Sequence, residues 1–230
     1  MNHFQKEQLP FSVAVVDMDW HVVDPSCEDG GGWTGYTFDS SLFPHPDDFL
    51  LALHDRKLRV TLNLHPSAGI RSFEKPYEEM CRCLGLDPTE RRPINFDIAN
   101  PNFAQAYLDT LHHPLESLGV DFWWIDWQQT NYTSVKGLTP LWMLNHLHTY
   151  DLARNGKRPL CFSRYAGVGS HRYPIGFSGD TVISWESLSF QPEFTATATN
   201  IGFLWWSHAF LNSTGVRYPR VLCSRIWLNQ

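Results

Sequence analysis

Short apolar runs, each ending in polar residues, recur along the chain with helix-spaced segments between them. Phe11 to Val16 (FSVAVV) reads as a first buried strand that exits into Asp17-Met18-Asp19-Trp20-His21. Pro46-Asp47-Asp48 marks a helix start, and Phe49, Leu50 and Leu53 then fall at helical spacing. Leu58 to Leu64 (LRVTLNL) is the next strand, ending at His65-Pro66. Glu74 to Leu84 is predicted helical, and Ile94 to Ile98 (INFDI) is a short third strand with Asp97 near its end. A helix opens at Asn100-Pro101, runs to Leu118 and stops at Gly119, a favoured C-cap residue. Val120 to Asp126 (VDFWWID) is the fourth strand, a run of apolar and aromatic residues that ends in a carboxylate. Leu138 to Ala153 forms a helix with Leu141, Leu144 and Leu147 on one face. Leu160 to Ser163 is a fifth strand that exits into Arg164, and a glycine-bearing loop covers Tyr165 to Gly179. Thr181 to Trp185 is expected as a sixth strand or the rim of one, and Pro192 to Ala198 as helix. Ile201 to Trp206 is expected as a seventh strand with Ser207-His208 at its exit.

Strand, crossover and strand in series is the grammar of a parallel sheet. The fold class is therefore α/β, a (β/α)8 TIM-type barrel, incomplete at about seven βα units. A dinucleotide-binding sheet would need a Gly-rich fingerprint directly after the first strand. Asp17-Met18-Asp19 stands there instead.

Composition narrows the function classes only a little. The chain has 230 residues, 43% of them hydrophobic, enough for a full core. Its formal charge is -6 and it has no basic run, which argues against nucleic acid and against an anionic membrane surface. No apolar stretch reaches the ~18 residues of a membrane span. Met1 to Pro10 lacks a hydrophobic signal core, so a cytoplasmic location is the default expectation. Ten Trp, eight Tyr and fifteen Phe fit either a large core or a cleft that stacks on sugar rings. Five scattered cysteines, with a C-x-C at Cys81 and Cys83, suggest reduced thiols and no metal. The sequons at Asn131 and Asn212 carry little weight.

Asp17, Asp19, His65, Asp97, Asp126, Arg164 and His208 all stand at or near strand exits, and a barrel brings such exits to one face. Asp180 stands in the loop that returns there. Two facing carboxyl groups are the minimum for cleaving a glycosidic bond. Spacing alone does not pick the pair: Asp126 belongs in it, and Asp180 is one of several candidates. A metal hydrolase using His65, Asp97 and His208 is disfavoured, because no H-E-x-x-H or comparable ligand spacing appears.

Trp124-Ile125-Asp126 resembles the W-x-D nucleophile motif of glycoside hydrolase family 31. Arg164, followed after sixteen positions by Gly179-Asp180, resembles that family's Arg … G-D acid/base element. Gly169-Ser170, Arg172-Tyr173-Pro174 and Trp185 fall in the family's order, and Asp17-Met18-Asp19 is similar to its first-strand D-x-D. The resemblance runs from about Phe11 to His208. It implies a retaining α-glycosidase acting on terminal, non-reducing α-linked sugars, α-glucosidase-like, through a covalent glycosyl-enzyme. Asp126 would be the nucleophile and Asp180 the acid/base. Asp17, Trp124, Arg164, Phe177 and His208 would contact the substrate, with no metal or cofactor. The partner would be a carbohydrate, and the oligomeric state stays open.

The pattern also departs from the family. Gln128-Gln129 after Asp126-Trp127 differs from the common α-glucosidase text and leaves α-xyloside, α-galactoside or α-N-acetylgalactosaminide as alternatives. Where family members read W-W-S-H-D-I-G-G, this chain reads Trp205-Trp206-Ser207-His208-Ala209-Phe210. The expected organisation is a catalytic barrel over residues 1–208 and a divergent tail over 209–230. The competing function is a catalytically weak or inactive remnant that at most binds sugar.

Overall fold

A computed structural model describes residues 2–23, 31–127, 133–164, 166–173, 175–181 and 184–207. Its centre is a sheet of six strands, all parallel and in sequence order: β1 (Val13–Val16), β2 (Arg59–Leu64), β3 (Phe122–Ile125), β4 (Phe162–Arg164), β5 (Gly176–Phe177) and β6 (Trp206–Ser207). The helices are α1 (Asn2–Lys6), α2 (Pro46–His54), α3 (Tyr77–Leu84), α4 (Pro101–Ala106), α5 (His113–Leu118), α6 (Pro140–Leu152) and α7 (Trp185–Thr199). A π-helical turn, Tyr107–His112, joins α4 to α5. Sequential parallel order with helical crossovers is the TIM-barrel pattern, and the curled sheet is a half-barrel.

Side chains alternate across a strand, and the alternation sorts this chain into two cores. Val60, Leu62 and Leu64 of β2, with Trp123 and Ile125 of β3, pack outward against Leu50 and Leu53 of α2, Tyr107, Leu111 and Leu144. The opposite parity, Val13 and Val15, Phe122 and Trp124, Phe162, and then Ile175 and Phe177, forms a separate inner cluster. On β2 the inner positions are instead polar: Thr61, Asn63 and His65, all buried.

Local chemistry sets the helix ends. Asn100 Oδ1 accepts from the N–H groups of Asn102 and Phe103, Thr139 Oγ1 from Trp142, and Ser184 Oγ from Ser187. Gly119 stops α5 at φ 137°, where a side chain would press on Leu50 at 3.1 Å. At the opposite end of the sheet from the strand exits, Asp121 takes hydrogen bonds from the Val60 N–H and His54 Nε2, both at 2.8 Å, and from Arg59 Nη1 at 2.9 Å. That carboxylate locks α2, β2 and β3 together.

The sheet departs from the pattern read in the sequence at four places. Ile94 to Ile98 is no strand of it. Ile94 instead makes an antiparallel bridge with Ile70, with both N–H···O distances 2.9 Å, and the segment buries Ile94 and Ile98 outside the sheet. Gly176–Phe177, inside the expected loop, is a strand. Gly176 is needed there because a Cβ would lie 2.1 Å from Phe203. The expected strand at Thr181 to Trp185 gives way to the Ser184 cap and the first residue of α7, while Val182 and Ile183 lie outside the described residues. Ile201 and Gly202 form a turn, so the last expected strand shortens to Trp206–Ser207. Trp185 is 82% exposed, and Leu188 and Phe190 of α7, with Ile201 and Leu204 after it, are also exposed.

Glu74 ties the chain after β1 to the segment before α3. Its carboxylate accepts from the Tyr36 N–H at 3.2 Å and from the Thr37 hydroxyl, which itself accepts from the Lys75 N–H. Burial pushes the Glu74 carboxyl from 4.5 up to about 7, against the pull of these donors. A folded value above the unfolded one means that its stabilising effect is complete below 4.5 and is lost as pH rises to about 7. That interval corresponds to about 3 kcal/mol. Glu74→Gln is therefore expected to remove a stability loss of about that size between pH 4.5 and 7.5, read from urea midpoints of the variant beside the wild type.

Candidate active site

The inner parity that builds the cluster also aims the strand exits. Two residues past Val15 stands Asp17, two past Asn63 stands His65, two past Trp124 stands Asp126, and two past Phe162 stands Arg164. The register pairs Asn63 with Trp124 and Trp124 with Phe162, so His65, Asp126 and Arg164 follow as neighbours on adjoining strands. The Asp126 N–H, bonded to the Leu64 carbonyl at 3.0 Å, continues the ladder past the end of β3.

Asp126 is the centre of the constellation. Arg164 Nε donates to Oδ1 at 2.5 Å, and His65 Nε2 stands 3.2 Å from Oδ2. Burial alone would push the Asp126 carboxyl up. The His65 hydrogen bond and the nearby Arg164 charge outweigh it and hold the group below the ordinary aspartate value. A carboxylate ionised in a mostly dry place is the state that a nucleophile needs.

Arg164 also reaches the second carboxyl: Nη2 donates to Asp180 Oδ1 at 3.2 Å. One planar guanidinium thus spans Asp126 and Asp180. The side chain of Asp180 is 50% exposed, while that of Asp126 is buried. Phe177 supports the guanidinium from below, its ring centroid 5.3 Å from Arg164 Cζ. Gly179 makes the approach possible. It sits at φ 69°, and a Cβ on it would fall 1.9 Å from Arg164 Nη1.

Asp17 lies on the site side of the β1 exit, close enough to feel the charges of Asp126 and His65. Burial, with the Asp126 charge adding to it, raises its carboxyl above the ordinary value, although the Met18 N–H donates to it at 2.7 Å. Asp19 adopts a left-handed backbone at φ 67°, which turns the chain toward Trp20. The Trp20 indole N–H then donates to the Asn63 carbonyl at 2.8 Å and pins this turn to β2.

Trp124 and Phe177 form a floor beneath the carboxyl groups. Both are buried, with Trp124 stacked on Phe162 at 5.3 Å and edge-on to Phe177 at 5.5 Å. His208 lies outside the described residues, as do Ala209 and the tail that follows. His65, left without a settled role by the sequence pattern, is brought against Asp126. The signal for it was the polar inner row of β2, where an apolar row would otherwise fill the barrel. Gly179 was legible only as part of a G-D motif.

Asp97 stands apart from this group and accepts from Ser134 Oγ at 3.3 Å. Among the described residues, His45, Asp47 and Asp48 form the one group of three with metal-ligand proximity, and all three are exposed. No helix among the described residues is long and apolar enough to cross a membrane.

The chain is similar to an α-xylosidase of Emericella nidulans, 23% identical over 90% of this chain and 28% of that protein. Among solved structures, an α-xylosidase from Xanthomonas citri aligns with a TM-score of 0.65 at 20% identity, over 90% of this chain and 25% of the other. A cycloalternan-degrading enzyme from Trueperella pyogenes aligns with a TM-score of 0.61 at 20% identity, over 90% and 35%. The chain thus spans about a quarter to a third of these relatives, and at such identities the structural likeness speaks for the fold. Residues 1–211 match the family described as the glycosyl hydrolases family 31 TIM-barrel domain. The chain belongs to glycosyl hydrolase family 31, of which it carries the TIM-barrel domain.

Proposed function

We propose that this domain carries the catalytic core of a retaining α-glycosidase, with Asp126 as nucleophile and Asp180 as acid/base. The observation that carries the proposal is the single Arg164 guanidinium bonded to both carboxyl groups. In the first step an Asp126 oxygen bonds to the anomeric carbon as the bond from that carbon to the leaving oxygen breaks. Asp180 gives its proton to that oxygen, and the sugar remains on Asp126 as an ester. In the second step Asp180 takes a proton from water, the water oxygen bonds to the same carbon, and Asp126 leaves as a carboxylate. Arg164 holds Asp126 ionised and offers a charge-assisted contact to Asp180 in either protonation state.

Asp17 is proposed to accept sugar hydroxyls at the rim, Trp124 and Phe177 to close the floor of the subsite, and His208 to contact the sugar from the β6 exit. The region proposed as the catalytic barrel is residues 1–208, with 209–230 a tail divergent in sequence. The substrate class is a terminal non-reducing α-linked sugar. An α-glucoside is the first choice from the motifs, and an α-xyloside stands beside it because two of the relatives are named α-xylosidases. The rival reading, a sugar-binding remnant, is favoured by the exposed apolar residues around α7.

A 5-fluoroglycosyl fluoride of the α series tests the core assignment. It is expected to label the peptide that contains Asp126, while Asp126→Ala abolishes labelling and cuts aryl α-glycoside turnover at least about a thousandfold. Full turnover by Asp126→Ala overturns the assignment, and sugar binding without labelling favours the remnant.

Asp180→Ala is expected to spare substrates with activated leaving groups far more than alkyl glycosides. Added azide should then restore turnover and release an α-glycosyl azide, seen by NMR. A Cβ at residue 179 meets Arg164, so Gly179→Ala should lower kcat/KM about ten- to a hundredfold. Stability should fall by about 1–3 kcal/mol from the left-handed backbone, measured by thermal melting.

A further inference from the structure

His65 is the least exposed ionisable side chain of the site, at 2% of its surface, and its surroundings fix it closely. Its backbone carbonyl accepts from the Thr34 hydroxyl, which also takes the Ala68 N–H at 3.2 Å. Pro66 follows at once and opens a 3-10 turn, Pro66–Ala68, so the chain cannot slide along β2. Trp33 closes over the ring edge-on at a centroid distance of 5.4 Å. Held in this way, Nε2 faces Asp126 Oδ2 at 3.2 Å, while the buried Nδ1 has no hydrogen-bond partner among the described residues. A carboxylate oxygen only accepts, so the ring hydrogen facing it sits on Nε2.

Two groups divide the Asp126 carboxylate between them. Arg164 takes Oδ1 and His65 takes Oδ2. Arg164 also serves Asp180, whose proton is given up and regained within each turnover on the proposed mechanism. His65 Nε2 contacts Asp126 and not Asp180, so its contact does not depend on the state of Asp180.

Resting on the reading of Asp126 as nucleophile, we propose that His65 is a positioning residue that fixes the plane of the Asp126 carboxylate through Nε2 and keeps it oriented throughout turnover. Losing one hydrogen bond to a charged group is expected to slow formation of the glycosyl-enzyme roughly ten- to a hundredfold.

Three versions of the full chain test this: wild type, His65→Phe, which removes the donor, and His65→Gln, which returns an N–H near the place of Nε2. The Asp126 side-chain carboxyl carbon is followed by 13C NMR from pH 2 to pH 8, its signal assigned by its absence from Asp126→Asn. The other charged groups facing the pair, Asp17 and Asp19 from the β1 exit, His21, Arg164 from β4 and Asp180, are common to all three chains. In His65→Phe the Asp126 titration is expected to move to higher pH, and the acid limb of the labelling rate should move with it. His65→Gln should recover most of both.

An unmoved titration in a folded His65→Phe chain overturns the proposal, and so does a His65→Gln chain no better than His65→Phe. The titration needs no turnover and is read whether or not the chain hydrolyses glycosides. Labelling at a residue other than Asp126 sinks the assignment of the nucleophile. Labelling at Asp126 with the acid limb unmoved in His65→Phe sinks only the role of His65.

Discussion

The parallel register of β1 to β4 is the constraint on which the site depends. Because side chains alternate with a period of two, a shift of one residue on any of these strands would turn its exit residue into the helix layer. The same parity that sends Val15, Trp124 and Phe162 into the inner cluster therefore sends Asp17, Asp126 and Arg164 to its open end. Asp121, bonded to Val60, Arg59 and His54, holds that register from the far end of the sheet. Core packing and site geometry are in this sense one specification.

Burial and charge are balanced against each other at Asp126. The aromatic floor of Trp124, Phe162 and Phe177 excludes water from beneath the carboxylate, which on its own favours the protonated form. Arg164 and His65 reverse that preference. Phe177 serves both sides of this balance, since it dries the floor and presents its ring face to the guanidinium. Gly179 completes the arrangement by having no side chain, which leaves room for the guanidinium beside the backbone that carries Asp180.

Most of the sheet was legible because apolar runs such as LRVTLNL and VDFWWID are long enough to carry their own signal. The strand Gly176–Phe177 was not, since two residues carry no period, and its main requirement, room for Phe203, comes from a distant part of the chain. Ile94 to Ile98 misled in the opposite direction: its apolar residues are buried as expected, but its backbone bonds to Ile70. Asp126, Arg164 and Asp180 were legible as motifs. The contact of His65 with Asp126 was not, because it is a product of register between strands almost sixty residues apart in sequence. Asp17 and Asp19 were indistinguishable by type, and the left-handed backbone of Asp19 is what separates them.

The guanidinium shared between two acids has a consequence for how the two can move. Arg164 ties the end of β3 to the chain that follows β5, because one side chain bonds Asp126 and Asp180. The two carboxyl groups are thus coupled mechanically as well as through their charges. A displacement of the backbone that carries Asp180 therefore pulls on the guanidinium and is felt at Asp126, at the exit of another strand. Arg164→Lys would keep the charge but not the planar fork, so the two acids would no longer be spaced by one rigid group.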